Sequence, residues 1–249
     1  MKYRIFTPAI ALSVLFASTH LTAKDWSYEG NTGPAQWGAL SEENVACHSG
    51  KNQSPVNIET AKAVNANLQP IKFNYGMLMP HEITNTGKAI RVKLGMGSDI
   101  LADDQEFELK FFEFHTPSQT MVNGKAFPME ALFHHETKDG EVAIVSMMFV
   151  PGEADHTINK LWEQLPMEAG KSERLSAKAL RPIEMTQKLD SYYRYNGSLT
   201  TPPCTEGVRW FVLKQPMKVS AAQLTKIKKA LKTPNSRPVQ ALHARQIFE

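Results

Sequence analysis

The chain has 249 residues, 28 Lys and Arg against 25 Asp and Glu, 42% hydrophobic and 21% charged residues and only two cysteines, which excludes a low-complexity or disulfide-dense chain. The first 23 residues hold Lys2 and Arg4 and no acid, so 26 basic and 25 acidic residues lie beyond them, too even a balance to argue for nucleic acid. About 226 residues then remain, enough for one domain that hides roughly 70% of its unfolded surface.

The chain opens on Lys2 and Arg4, runs through an apolar stretch from Ile5 to Ala17 and reaches Leu21-Thr22-Ala23. That is the pattern of a secretory signal, residues 1–23, cut after Ala23. A membrane anchor is the plain alternative, but Thr7, Pro8 and Ser13 interrupt a run that falls short of the roughly 20 residues a spanning helix needs. The expectation is a single domain over 24–249, periplasmic or secreted, with no membrane insertion. In an oxidising compartment Cys47 and Cys204 read as one bridge; a redox pair lacks the Cys-x-x-Cys spacing. Closing so long a loop contributes up to roughly 5 kcal/mol on the chain-entropy model.

From Trp26 to about Pro55 the text is rich in Gly, Pro, Trp, Asn and Ser and reads as an irregular segment pinned by aromatic side chains. From about Ile71 to Val150 strands dominate. Ala89–Leu94 and Glu106–Lys110 alternate, and Val142–Val150 is an apolar run suited to a buried strand. Asn123-Gly124 and Asp139-Gly140 mark turns, the first a strong hairpin signal. Helical spacing is confined to about His156–Leu165 and to Ala221–Leu231, which Ser220 can cap. The charge-rich tract Glu168–Arg181 reads as a solvated surface segment. No internal repeat or linker interrupts this β-rich chain.

Several separated motifs then converge. Trp26-Ser27-Tyr28, Gly33-Pro34 with Trp37, Gln53-Ser54-Pro55-Val56-Asn57-Ile58, Asn85-Thr86-Gly87, Phe114-His115-Thr116-Pro117-Ser118 and Tyr195-Asn196-Gly197-Ser198-Leu199-Thr200-Thr201-Pro202-Pro203-Cys204 with Trp210 closely resemble the α-class carbonic anhydrases, in that order and spacing, over about residues 25–249. The resemblance implies a mixed, mainly β fold: a mostly antiparallel sheet of about ten strands, a few peripheral helices and a conical pocket on one face. It also matches Cys47 and Cys204 to the bridge of secreted bacterial members. In that family three histidines hold zinc, two as His-x-His on one strand and the third on the neighbouring strand. Residues two apart on a strand share a face, and three neutral nitrogens leave zinc's fourth position to a water that ionises near pH 7 and attacks carbon dioxide.

This chain departs from that pattern at the metal. The first ligand position is Glu113, the second remains His115, and the third is Leu132, which cannot ligate anything. A carboxylate's charge also disfavours ionisation of a bound water relative to a neutral imidazole. The family's glutamate partner of Thr200 is Gln119, whose amide no longer forces the threonine hydroxyl to accept from a zinc-bound hydroxide. The proton-shuttle position is Lys88, a poor shuttle at neutral pH because an unperturbed lysine titrates near pH 10.4. Strand parity puts Phe111, Glu113 and His115 on one face, with Glu130, Leu132 and His134 on the same face of the next strand. The resemblance places Arg91, Phe111 and Leu132 on the pocket wall, with Ile144, Leu199, Thr201 and Trp210 completing it.

Two explanations compete. Arg91 or Lys88 pairs with Glu113, a protein cation replacing the charge of zinc, which gives a metal-free binding or interaction module. Alternatively Glu113, His115 and His134 form a shifted site for zinc or another divalent ion, and the chain is an active carbonic anhydrase. The leading expectation is a carbonic-anhydrase-like protein without a cofactor, its zinc-dependent hydration of carbon dioxide lost or strongly impaired and its small ligand or protein partner unidentified. Zinc, with carbon dioxide and bicarbonate, belongs to the alternative. No Ser-His-acid set supports an esterase. His135 reads as a satisfied core histidine, and His48, His81, His156 and His243 as surface residues. Glu130 has lost its old partner at Leu132, Thr200 and Thr201 serve either chemistry or only the turn they build, and Phe111 serves packing or ligand stacking.

Overall fold

A computed structural model describes residues 25–75, 80–95, 97–175 and 191–249. The expected secretory signal, residues 1–23, and the end of the charge-rich tract lie outside the described residues. The strands are β1 (Asn57–Ile58), β2 (Lys72–Tyr75), β3 (Pro80–Asn85), β4 (Ile90–Leu94), β5 (Ser98–Ala102), β6 (Gln105–His115) and β7 (Met121–Val122). They continue as β8 (Lys125–Ala126), β9 (Met129–Glu136), β10 (Val142–Pro151), β11 (Lys171–Arg174), β12 (Tyr192–Ser198), β13 (Glu206–Leu213) and β14 (Met217–Val219). Eleven of them build one mixed sheet with the order β11-β3-β4-β6-β9-β10-β13-β12, to which β14 adds beside β10 and the β2-β5 pair beside β6. Only β13 and β14 run parallel to β10; the other pairings in this sheet are antiparallel. The expected mainly β architecture is the one observed.

Hydrophobic alternation explains the layering. On one face Ile83, Val92, Phe112, Phe133, Val145 and Phe149 form the larger core. It is covered by α3 (His156–Glu163) and α4 (Ala221–Leu231), which follow the single-turn helices α1 (Trp37–Leu40) and α2 (Ala46–Ser49). Asp155 caps α3 by accepting from Ile158 N, and Ser220 with Gln223 closes a capping box on α4. On the other face Leu132, Ile144, Val208 and Trp210 pack with Val56 and Ile58.

One irregularity decides which residues reach this second face. Phe107 and Leu109 are buried in the larger core, and so are Phe112 and Phe114, although the two pairs differ in parity. A register shift between Leu109 and Phe111 inserts the extra residue. The bulge thereby turns Phe111, Glu113 and His115 away from the larger core.

Two expectations change in detail. The tract beginning at Glu168 contains a strand, β11, whose four residues are exposed as expected but pair antiparallel with β3. The Trp26–Pro55 segment is a chain of short helical turns held by edge contacts among Trp26, Tyr28 and Trp37. Cys47 and Cys204 form the bridge, buried beside Trp37 with their Cα atoms 5.0 Å apart. Asn123 and Gly124 both take positive φ, 50° and 76°, as the two-residue turn between β7 and β8 requires.

Candidate functional site

The site lies where β4, β6 and β9 run side by side. Register places Arg91 opposite Glu113 and Glu113 opposite Leu132, while Phe111 faces His134 and His115 faces Glu130. Arg91 donates from Nε and Nη2 to Glu113 Oε2 at 3.1 and 2.9 Å. Glu113 Oε1 lies 3.5 Å from His115 Nε2 and 3.6 Å from His134 Nε2. Phe111 braces the group: its ring stacks on His134 at 4.3 Å and carries the Arg91 guanidinium at 4.2 Å. Phe111 therefore packs, as one of its two expected roles.

Glu113, His115, Leu132 and Thr200 are buried, whereas Arg91, Phe111, His134, Leu199 and Thr201 around them are half-buried. The site is thus a depression with a buried floor and a partly open rim. Leu132, Ile144 and Trp210 share one apolar cluster with Leu199 packed on it, and the Thr201 carbonyl accepts from Cys204 N at 2.9 Å. Lys88 is not on Glu113. It pairs with Asp25 at 2.5 Å and lies over the Trp26 ring, because the N-terminal segment brings both residues to it.

The electrostatics follow from this arrangement. Burial alone would raise the Glu113 carboxyl, but the hydrogen-bonding capacity and charge of His115 and His134 outweigh it and hold it well below the ordinary carboxylate value. Burial opposes a charge on His115, yet the Glu113 carboxylate prevails and raises its pKa. The His115 tautomer is constrained: Nδ1 donates to the Asn235 carbonyl at 2.7 Å, so Nε2 carries either a lone pair or a second proton. A bare lone pair facing a carboxylate oxygen is repulsive, so this corner calls for positive charge, supplied by a proton on His115 or by a cation between the two atoms. The Nε2 atoms of His115 and His134 are buried and have no hydrogen-bond partner among the described residues.

Glu130, bereft of a ligand histidine, has other partners. Oε2 accepts from Gln119 N and Thr120 N at 2.7 and 3.1 Å, and Oε1 accepts from Ser146 Oγ at 2.6 Å. Gln119 Nε2 donates to Thr200 Oγ1 at 2.9 Å. His135 is a satisfied core histidine, against Tyr75 Oη at 2.6 Å and the Phe133 carbonyl at 2.9 Å. His48, His81, His156 and His243 are exposed.

Two contributors escape a reading of the sequence, and a third, Tyr28, is named there only within a motif. Asn235 holds His115 through its carbonyl and accepts from Thr116 N through Oδ1. Arg237 is buried and donates to Gln53 Oε1, Ser54 O and Cys47 O. Tyr28 Oη is a buried hydroxyl without a partner among the described residues, whose titration burial and the Glu113 charge push up. The only local hint for the first two is a polar triplet bracketed by Pro234 and Pro238.

The family's zinc fits these residues poorly. One imidazole of the three ligand positions remains, Leu132 fills another, and the guanidinium of Arg91 occupies one oxygen of Glu113. Among the described residues no group of three or more His, Cys, Asp or Glu is arranged to hold a metal ion. Glu113, His115 and His134 match a two-histidine, one-carboxylate zinc set in donor chemistry alone.

Comparison with known proteins agrees with the fold. The family described as eukaryotic-type carbonic anhydrase matches residues 32–249. A carbonic anhydrase from Pectobacterium carotovorum is 37% identical over 96% of this chain and 97% of its own length. The α-carbonic anhydrase of Thermovibrio ammonificans, solved with sulfanilamide, superposes with a TM-score of 0.88 at 41% identity, covering 90% of this chain and 99% of its own. Dioscorin, solved with ascorbate, gives 0.84 at 31% identity over 90% of this chain and 97% of its own. With a matching family over most of its length and near-complete relatives above 30% identity, the chain belongs to the α-class carbonic anhydrase family.

Proposed function

We propose that this family member has lost, or retains only weakly, zinc-dependent hydration of carbon dioxide and uses its depression to bind a small ligand. The observation that carries this reading is the Arg91 pair on Glu113 Oε2. It supplies protein charge at a position that the family resemblance assigns to a zinc ligand. A proton on His115 can supply the second positive charge that Glu113 Oε1 faces. Dioscorin, of the same fold and bound to ascorbate, is a precedent for ligand binding on this scaffold. The leader-like residues 1–23 and the Cys47–Cys204 bridge support export to the periplasm or medium.

A second reading is favoured by the two partnerless imidazole nitrogens that face Glu113 Oε1, and by the relatives that are themselves named carbonic anhydrases. In it the same positive charge is a divalent metal held by Glu113, His115 and His134, and the chain hydrates carbon dioxide. Metal analysis of protein purified without chelator, with carbon dioxide hydration assayed before and after added zinc, separates the two. Substoichiometric metal and no zinc-stimulated hydration is the expected result. One equivalent of metal with sulfonamide-sensitive hydration overturns the first reading and establishes the second.

A further inference from the structure

The polarity of one buried hydrogen bond identifies the ligand chemistry, given the metal-free reading above. Gln119 Oε1 accepts the backbone N–H of Arg237 at 3.0 Å. A backbone N–H can only donate, so the amide is fixed with its oxygen toward Arg237 and its nitrogen toward Thr200. Gln119 Nε2 then donates to Thr200 Oγ1 at 2.9 Å. A hydroxyl has a single proton, and among the described residues none accepts it from Thr200, a residue only 3% exposed. A glutamate at position 119 would do the reverse and take that proton itself.

The surroundings define what can receive it. Gln119 N is tied to Glu130, the cross-strand neighbour of His115, so Gln119 links the Thr200 hydroxyl to the strand pair that carries the Glu113 cluster. Beside it Leu199 packs on an apolar cluster that contains Leu132 and Ile144, a surface suited to a short hydrocarbon stub. Arg91 neutralises Glu113, so a small anion entering the depression does not meet an unpaired carboxylate. We propose that Gln119 converts Thr200 into a hydrogen-bond donor, and that the depression binds a short-chain carboxylate through this hydroxyl without a metal. Gln119 is thereby a positioning residue that acts through Thr200.

Isothermal titration with propionate tests this on the full mature protein, with metal content measured on the same samples. Wild type binds propionate, Thr200→Val weakens binding by about tenfold or more because a hydrogen bond to a charged group is lost, and Thr200→Ser retains it. Gln119→Glu weakens binding to a similar degree. Absence of propionate binding by wild type, or affinity unchanged in Thr200→Val, overturns the proposal. If Gln119→Glu does not fold, as its melting curve would reveal, the Val and Ser pair at position 200 decides. Bound metal with hydration activity would overturn the reading of lost catalysis and the metal-free part of this proposal, whereas the effect of Thr200→Val on propionate affinity stands or falls by itself, so the two failures are distinguishable.

Discussion

His134 and His135 are neighbours on β9 and point to opposite faces of the sheet. His135, in the larger core, has both ring nitrogens engaged, and burial pushes its pKa down to about 3, so it is a neutral, fully used hydrogen-bonding group. His134 leans over Phe111 with a buried Nε2 that none of the described residues bonds. The same residue type serves the fold on one side and the site on the other. The core face pairs its polar atoms at full strength, whereas the pocket face keeps donors and acceptors available, a local cost that a folded domain tolerates where a ligand or cation can offset it.

The largest effect should come from rebuilding the pocket face alone. Glu113→His with Leu132→His restores the family's three-histidine set, and adding Arg91→Asn removes a guanidinium that would then face the metal. Zinc content should rise from substoichiometric to one equivalent, read by metal analysis. A folded variant that stays metal-free would mean that the pocket has diverged beyond its ligand positions.

Breaking the ion pair should come next. Arg91→Met leaves Glu113 buried without its guanidinium, and because Arg91 is partly exposed the cost is expected at about 2 kcal/mol, below the figure for a fully buried pair. Adding Glu113→Leu should recover most of it in urea unfolding. Additive losses would show that the pair does not carry the charge compensation argued for it.

The adjacent histidines give a sharper, smaller contrast. His135→Phe strands the Tyr75 hydroxyl and should cost about 2 kcal/mol, whereas His134→Phe keeps the stack on Phe111, removes a partnerless nitrogen and should fall within about 0.5 kcal/mol of wild type. Equal costs would mean that His134 Nε2 has a partner in the purified protein, which would favour the metal-bearing reading.

How much of this was legible in the sequence follows from the range of the interactions. Alternation located β4 and the first half of β6, a continuous apolar run located β10, and helical spacing with the cap at Ser220 located α4, because those signals are local. Parity at 111, 113 and 115 correctly grouped Phe111, Glu113 and His115 opposite Leu132 and His134. The bulge after Leu109 was not legible, since an extra residue in one strand is visible only against its partner's register. Arg91 was one of two candidates for Glu113, and the other, Lys88, was captured by Asp25 from a distant segment. Asn235 and Arg237 come from a loop more than 100 residues beyond the groups they hold, and the polar triplet between Pro234 and Pro238 does not say where that loop returns.

The smallest prediction concerns the outer end of the polar chain that begins at Thr200 and passes through Gln119, Arg237 and Gln53. Glu206 Oε1 accepts from Asn52 N at 2.7 Å and from Gln53 Nε2 at 3.0 Å. Partial burial acts to raise its pKa, but the bonds from Gln53 and Asn52 dominate and place it below the ordinary 4.5. A carboxylate favoured in this way contributes stability that is present above the unfolded-state pKa and lost as pH falls through the folded-state value. Glu206→Gln keeps an acceptor for both donors, removes the charge and gives up only the long contact from Asn52 Nδ2 to Oε2 at 3.4 Å. Wild type should therefore melt at a higher temperature than Glu206→Gln at pH 7, with the gap closing below about pH 4.5 and narrowing in high salt because the group is largely solvated. A gap that is constant from pH 7 to pH 3 would place the stabilisation in the geometry of the acceptor and not in its charge.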